Sequence, residues 1–144
     1  MSETIGKSQY REFQRRMSFA ITYDLVNDYP NVDGKVWSVR LGQAWPGRLL
    51  VPGNYLYALL SDGELRVPFL PHTDLDMHHP QLARRMPVVG AGLFGWTGND
   101  VTYIDNKSGC YTPDSESLYY VSEAMKFYGV PFNAHFRFDN FLHY

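Results

Sequence analysis

Two stretches of this 144-residue chain hold most of its chemistry-bearing side chains. One is Asn106-Lys107-Ser108-Gly109-Cys110-Tyr111, and the other is Pro71 to Pro80, reading PHTDLDMHHP. The first stands ahead of a predicted helix, whose leading N–H groups and dipole favour an anion. Lys107 adds positive charge, so Asn106, Lys107 and the nearby His78 are candidates to hold a phosphate or carboxylate. The same field would lower the pKa of the Cys110 thiol. His78 or His79 beside it would make a Cys–His nucleophile pair, with His79, Ser108, Cys110 and Tyr111 as the candidate catalytic set. The same residues also admit a packing reading. Ser108-Gly109 then makes a turn, and Cys110 and Tyr111 pack on a neighbouring strand, free cysteine being among the most buried residue types.

His72, Asp74, Asp76, His78 and His79 also invite a metal reading. Adjacent histidines rarely converge on one ion, and the chain has no H-x-x-x-H or C-x-x-C spacing, so no metal site is expected. P-loop, dinucleotide and G-x-S-x-G patterns are absent from the sequence as well, and no cofactor is expected.

The elements that must position these residues follow from periodicity. Pro87 to Phe94 reads as a buried central strand, and Thr97-Gly98-Asn99-Asp100 as a turn into a second strand, Val101 to Ile104. An antiparallel return brings Asn106 beside the residues just before Pro87. His79 should then reach Ser108 or Tyr111 through a hydrogen bond or one water. Tyr55–Ser61 and Glu64–Phe69 form a hairpin through Asp62-Gly63. Residues 35–41 are a further strand, 42–54 an irregular connection, and Gln81–Arg85 a helical turn. Trp45 can form an exposed platform or fold back on the core.

Residues 1–7 read as a frayed tail. Tyr10, Phe13, Met17, Ala20, Ile21 and Leu25 recur at helical spacing, with Arg11, Arg15 and Arg16 on a solvated face. A last helix spans 114–128, capped by Thr112 or Asp114 and closed by Gly129, with Leu118, Val121, Met125 and Tyr128 as its core-facing stripe. It should cover Gly90, Ala91 and Gly92, and residues 134–141 alternate as a final strand. The expected fold is α+β, one domain with a small, mostly antiparallel sheet and an N-terminal and a C-terminal helix packed on it.

Composition narrows the function classes. The net charge of −2 and pI near 6.2 argue against nucleic acid. A single cysteine excludes an internal disulfide. No apolar run has the length of a membrane span, and the first residues lack a signal-peptide pattern. A cytoplasmic protein is expected, with signal-independent delivery elsewhere still open. Aromatics at 16% suit either an aromatic core or a binding surface.

The stretch from His79 to Pro113 resembles a domain built on an H-S-S-F-like element, then A-A-G, then S-G-H-Y-x-P. That domain occurs in plant calmodulin-binding IQ-motif proteins and in C-terminal modules of bacterial effector- and toxin-like proteins. Gly90-Ala91-Gly92 stands at A-A-G, Ser108 to Pro113 at S-G-H-Y-x-P, and His79 at the first histidine. The resemblance covers about Tyr55 to Phe132. Pro80 and Gln81 replace the family serines, Arg84-Arg85 its glycine pair, and Cys110 its second histidine. No IQ motif is present, so calmodulin is not implied.

Two readings result. The first is a small effector- or toxin-type domain acting on a cytosolic target, with group transfer or hydrolysis centred on His79 and the 106–111 loop. The second is a non-catalytic interaction module of immunity or adaptor type that binds a protein through an aromatic surface. The expected partner is a protein or a small anionic ligand.

Overall fold

The computed structural model describes residues 6–28, 35–40, 45–74 and 77–137. Six strands form one sheet: β1 (Val36–Val39), β2 (Gly53–Leu60), β3 (Leu65–Pro68), β4 (Val88–Trp96), β5 (Val101–Asp105) and β6 (Phe132–Arg137). Their order is β1-β3-β2-β4-β5-β6, and every neighbouring pair is antiparallel except β5 with β6. The fold is α+β with a mostly antiparallel sheet, as expected. A parallel step needs a crossover, and helix α3 (Ser117–Phe127) supplies it.

Strand β2 shows why so apolar a sequence settles as a sheet. Side chains alternate between faces, and Tyr55, Tyr57 and Leu59 enter one core while Leu56, Ala58 and Leu60 enter another. All six are buried, so both faces are covered and the strand reads as a continuous apolar run. The first core also holds Tyr10, Phe13 and Met17 of helix α1 (Lys7–Met17), with Leu118, Val121 and Met125 of α3. The second holds Leu82 of the short helix α2 (His79–Leu82), together with Met77, Cys110 and Tyr111.

Turn chemistry fixes the register. Gly63 adopts φ 91° in the β2–β3 turn, and Asp62 Oδ1 accepts the Glu64 N–H at 2.9 Å. Gly129 (φ 76°) ends α3 with its N–H on Lys126 O and the Val130 N–H on Met125 O, a Schellman motif.

Several expected boundaries are corrected. Helix α1 ends at Met17, where the Ser18 hydroxyl donates to Arg15 O. Tyr23 instead exchanges two backbone hydrogen bonds with Val88, so sheet pairing outcompetes the apolar period beyond residue 17. Helix α2 begins at His79, and Arg84 and Arg85 turn left-handed at φ 53° and 59°. Helix α3 starts at Ser117 with Glu116 at the N-cap, so Thr112 and Asp114 do not cap it. The last strand begins at Phe132, and residues 138–144 lie outside the described residues. Gly90 does face α3, since a Cβ there would stand 2.5 Å from Val121 Cγ2. Ala91 does not: alternation sends it to the second core, against Leu82 and Tyr111. Trp45 folds back, its ring packing against Phe94 and Trp96.

Candidate functional site

Helix α2 is a single turn, and a turn this short does not hold itself. The Gln81 side chain accepts the His78 N–H at 3.1 Å at its start. At its end the Leu82 carbonyl accepts from Arg66 Nε at 2.5 Å. Arg66 is buried on β3 and pairs with Glu64 at 2.6 Å, while Arg40 stands 3.8 Å from the other Glu64 oxygen. Burial pushes the Glu64 carboxyl up, but the Arg66 hydrogen bond and charge, with Ser38 and the more distant Arg40 adding to them, outweigh it and hold the pKa below its usual value. This ion pair was not identified from sequence. Its signal was opposite charges two residues apart, hence on one face, in an otherwise apolar strand.

α2 in turn positions His79, which is buried with Nε2 3.0 Å from the Gly92 carbonyl oxygen. A carbonyl only accepts, so Nε2 carries the hydrogen and donates it. Burial lowers the His79 pKa to about 4, against the Gly92 bond that favours the charged ring and with the help of His78. The next residue along β4, Leu93, donates its N–H to Asp105 Oδ1 at 2.8 Å, and the Lys107 N–H reaches the same oxygen at 3.0 Å. Gly92 itself must lack a side chain, because a Cβ there would overlap the Asp105 carbonyl. His79 and the root of the 106–111 loop therefore attach to neighbouring residues of β4. The expected direct hydrogen bond from His79 to Ser108 or Tyr111 is not made: Ser108 Oγ accepts the Tyr111 N–H instead, and the Tyr111 hydroxyl donates to Met86 O.

Within the loop the side chains of Asn106, Ser108 and Tyr111 each have an internal hydrogen-bond partner, Cys110 is buried, and Lys107 is exposed. Asn106 Nδ2 donates to Pro113 O at 3.0 Å, Ser108 Oγ accepts the Tyr111 N–H at 3.3 Å, and the Tyr111 hydroxyl donates to Met86 O at 2.8 Å. The segment after α1 straps this loop. Val26 and Asn27 donate backbone N–H groups to Cys110 O at 2.7 and 3.2 Å, and Asn27 Nδ2 reaches Gly109 O at 2.7 Å. Asp28 closes the strap on Arg85 at 2.9 Å. Only 5% of Cys110 is exposed. Burial, then the Asp28 charge, pushes its thiol up. Burial also lifts Tyr111 to about 12, with Cys110 and Asp28 adding to it and Arg85 opposing.

These shifts favour the neutral thiol and neutral imidazole at pH 7, opposite to an activated Cys–His pair. The start of α3 also lies six residues beyond Tyr111, so its N–H groups do not open directly from the 106–111 loop. What the arrangement does mechanically is clear: it ties β4, β5, α2 and the strap into one clasp. Among the described residues no group of three or more His, Cys, Asp or Glu is placed to hold a metal, and no helix is long and apolar enough to cross a membrane. No family model, no curated protein and no solved structure matches the chain.

Proposed function

We propose that this chain is an effector-type interaction module that acts on a cytosolic protein by binding it, without a reaction at the 106–111 loop. In this reading the first and last helices brace one sheet face and present the binding surface. One observation carries the proposal: the side chains of His79, Asn106, Ser108 and Tyr111 are engaged in internal hydrogen bonds, and Cys110 is buried with a raised pKa. The exposed large apolar side chains lie elsewhere, Phe19, Ile21 and Tyr119 among them. The resemblance to effector- and toxin-like modules supplies the cytoplasmic setting, and the protein partner is part of the same proposal.

The test is capture of the target from cytosol by the parent chain and by Cys110→Ala, with intact-mass measurement of whatever is captured. Equal capture and an unmodified target are expected. A mass change on the target that needs Cys110 would overturn the reading in favour of group transfer.

A further inference from the structure

The exposed surface of α1 is chemically unlike the rest of the chain. Of 13 Lys and Arg and 15 Asp and Glu, α1 holds four and one, which leaves nine and fourteen elsewhere. A basic helix thus stands on an acidic body. Lys7, Arg11 and Arg15 follow at intervals of four, so they form one stripe along the helix. Arg15 pairs with Glu12 at 2.6 Å, whereas Lys7, Arg11 and Arg16 make no salt bridge among the described residues. The stripe leads to Phe19, whose ring lies 5.7 Å from the Arg15 guanidinium carbon. Phe19 is 70% exposed, and Ile21, two residues on, is 62% exposed.

A solvated helix face explains the arginines alone. It does not account for Phe19 and Ile21 at the end of the row, two large apolar side chains two residues apart and 70% and 62% exposed; exposed apolar side chains rimmed by charge mark interaction sites. Exposed apolar side chains at the end of a mostly basic stripe combine an anchor with charge that can steer a partner, as protein-binding surfaces do. Phosphate-bearing polymers would match the charge but leave both apolar side chains without a role.

We infer that Lys7, Arg11, Arg15 and Arg16, with Phe19 and Ile21, dock an acidic protein segment that carries an aliphatic or aromatic anchor. The inference rests on the interaction reading above and names the surface and partner chemistry for it. Charge along the stripe steers and orients the segment, and its anchor packs on Phe19 and Ile21. The contact weakens with salt because the charges remain at the rim.

The probe is a fluorescein-labelled twelve-residue peptide of Asp and Glu around a central Leu-Phe pair, with a Lys-substituted version as control. Anisotropy titration of the full chain should show binding of the acidic peptide alone, weakened roughly tenfold between 50 and 300 mM salt. Phe19→Ser, and Arg11→Glu combined with Arg15→Glu, should each lose roughly tenfold or more. All three side chains are exposed, and a melting scan of each variant verifies that it folds. Undetectable binding, equal binding of the Lys peptide, or unchanged affinity in the variants would overturn the inference. So would binding to phosphatidylserine vesicles in place of the peptide, or a concentration-dependent dimer that Phe19→Ser dissolves. If the cytosolic target is still captured by Phe19→Ser, the docking stripe fails while the interaction reading stands. A target modified through Cys110 sinks the reading itself.

Discussion

The His79 imidazole donates through Nε2 to the carbonyl of Gly92, 3.0 Å away, and so pins the one-turn helix α2 to the central strand. One residue further along β4, Leu93 donates its N–H to Asp105 at the root of the 106–111 loop.

Acid should weaken the fold through His79. Its folded pKa is lowered from 6.5 to about 4, so the unfolded chain takes up a proton that the folded one refuses. Stability from this group is complete above pH 6.5 and is lost as pH falls through 4. The total is about 3 kcal/mol at 1.36 kcal/mol per unit. Urea unfolding at pH 7, 5.5 and 4.5 should show the decline, and His79→Gln should flatten it. A slope that persists in His79→Gln would place the titrating group elsewhere.

The Glu64–Arg66 pair should matter more than its count of one suggests. Arg66→Leu leaves the Leu82 carbonyl and a largely buried Glu64 without their main donor, with Arg40 only at 3.8 Å. Removing one partner of a buried pair costs about 3–5 kcal/mol. Denaturant midpoints should fall accordingly, and Arg66→Leu with Glu64→Leu should recover part of the loss.

Arg84 adopts φ 53°, a conformation that glycine reaches without a Cβ penalty. Arg84→Gly should therefore raise stability by about 0.5–1 kcal/mol, net of the entropy glycine adds to the unfolded chain. A lower melting temperature in Arg84→Gly would show that the Arg84 side chain stabilises more than its backbone costs.

Ala91 packs between β4 and the α2–Tyr111 layer. Ala91→Leu should overpack that layer and cost about 1–3 kcal/mol. Because Tyr111 sits there too, its hydroxyl bond to Met86 should loosen, visible as faster exchange of neighbouring amides. Unaltered exchange near Met86 in Ala91→Leu would put Ala91 on the other face.

The sequence was most legible where local chemistry decides. Asp62-Gly63 and Gly129 named their turns, and Leu118, Val121 and Met125 named the buried face of α3. It was least legible where distant partners decide. Ile21 and Leu25 continue a helical period, yet Tyr23 pairs with Val88, 65 residues away, and the chain leaves the helix. The candidate residues of the loop were found from their types. The packing reading of Cys110 and Tyr111 also holds, but its means was not legible, because the loop is held by the distant 23–28 strap and His79 by a carbonyl thirteen residues downstream.

The reactivity of Cys110 tests most directly whether this motif serves as a clasp or as a reactive centre. The native protein is mixed with excess disulfide reagent at pH 7.5 and labelling is followed with time, beside the urea-unfolded chain. The buried thiol with its raised pKa predicts labelling at least about a hundredfold slower in the native state, because only the thiolate reacts and only after local opening. Native labelling as fast as in the unfolded chain, or faster, would contradict the clasp and return Cys110 to the role of nucleophile.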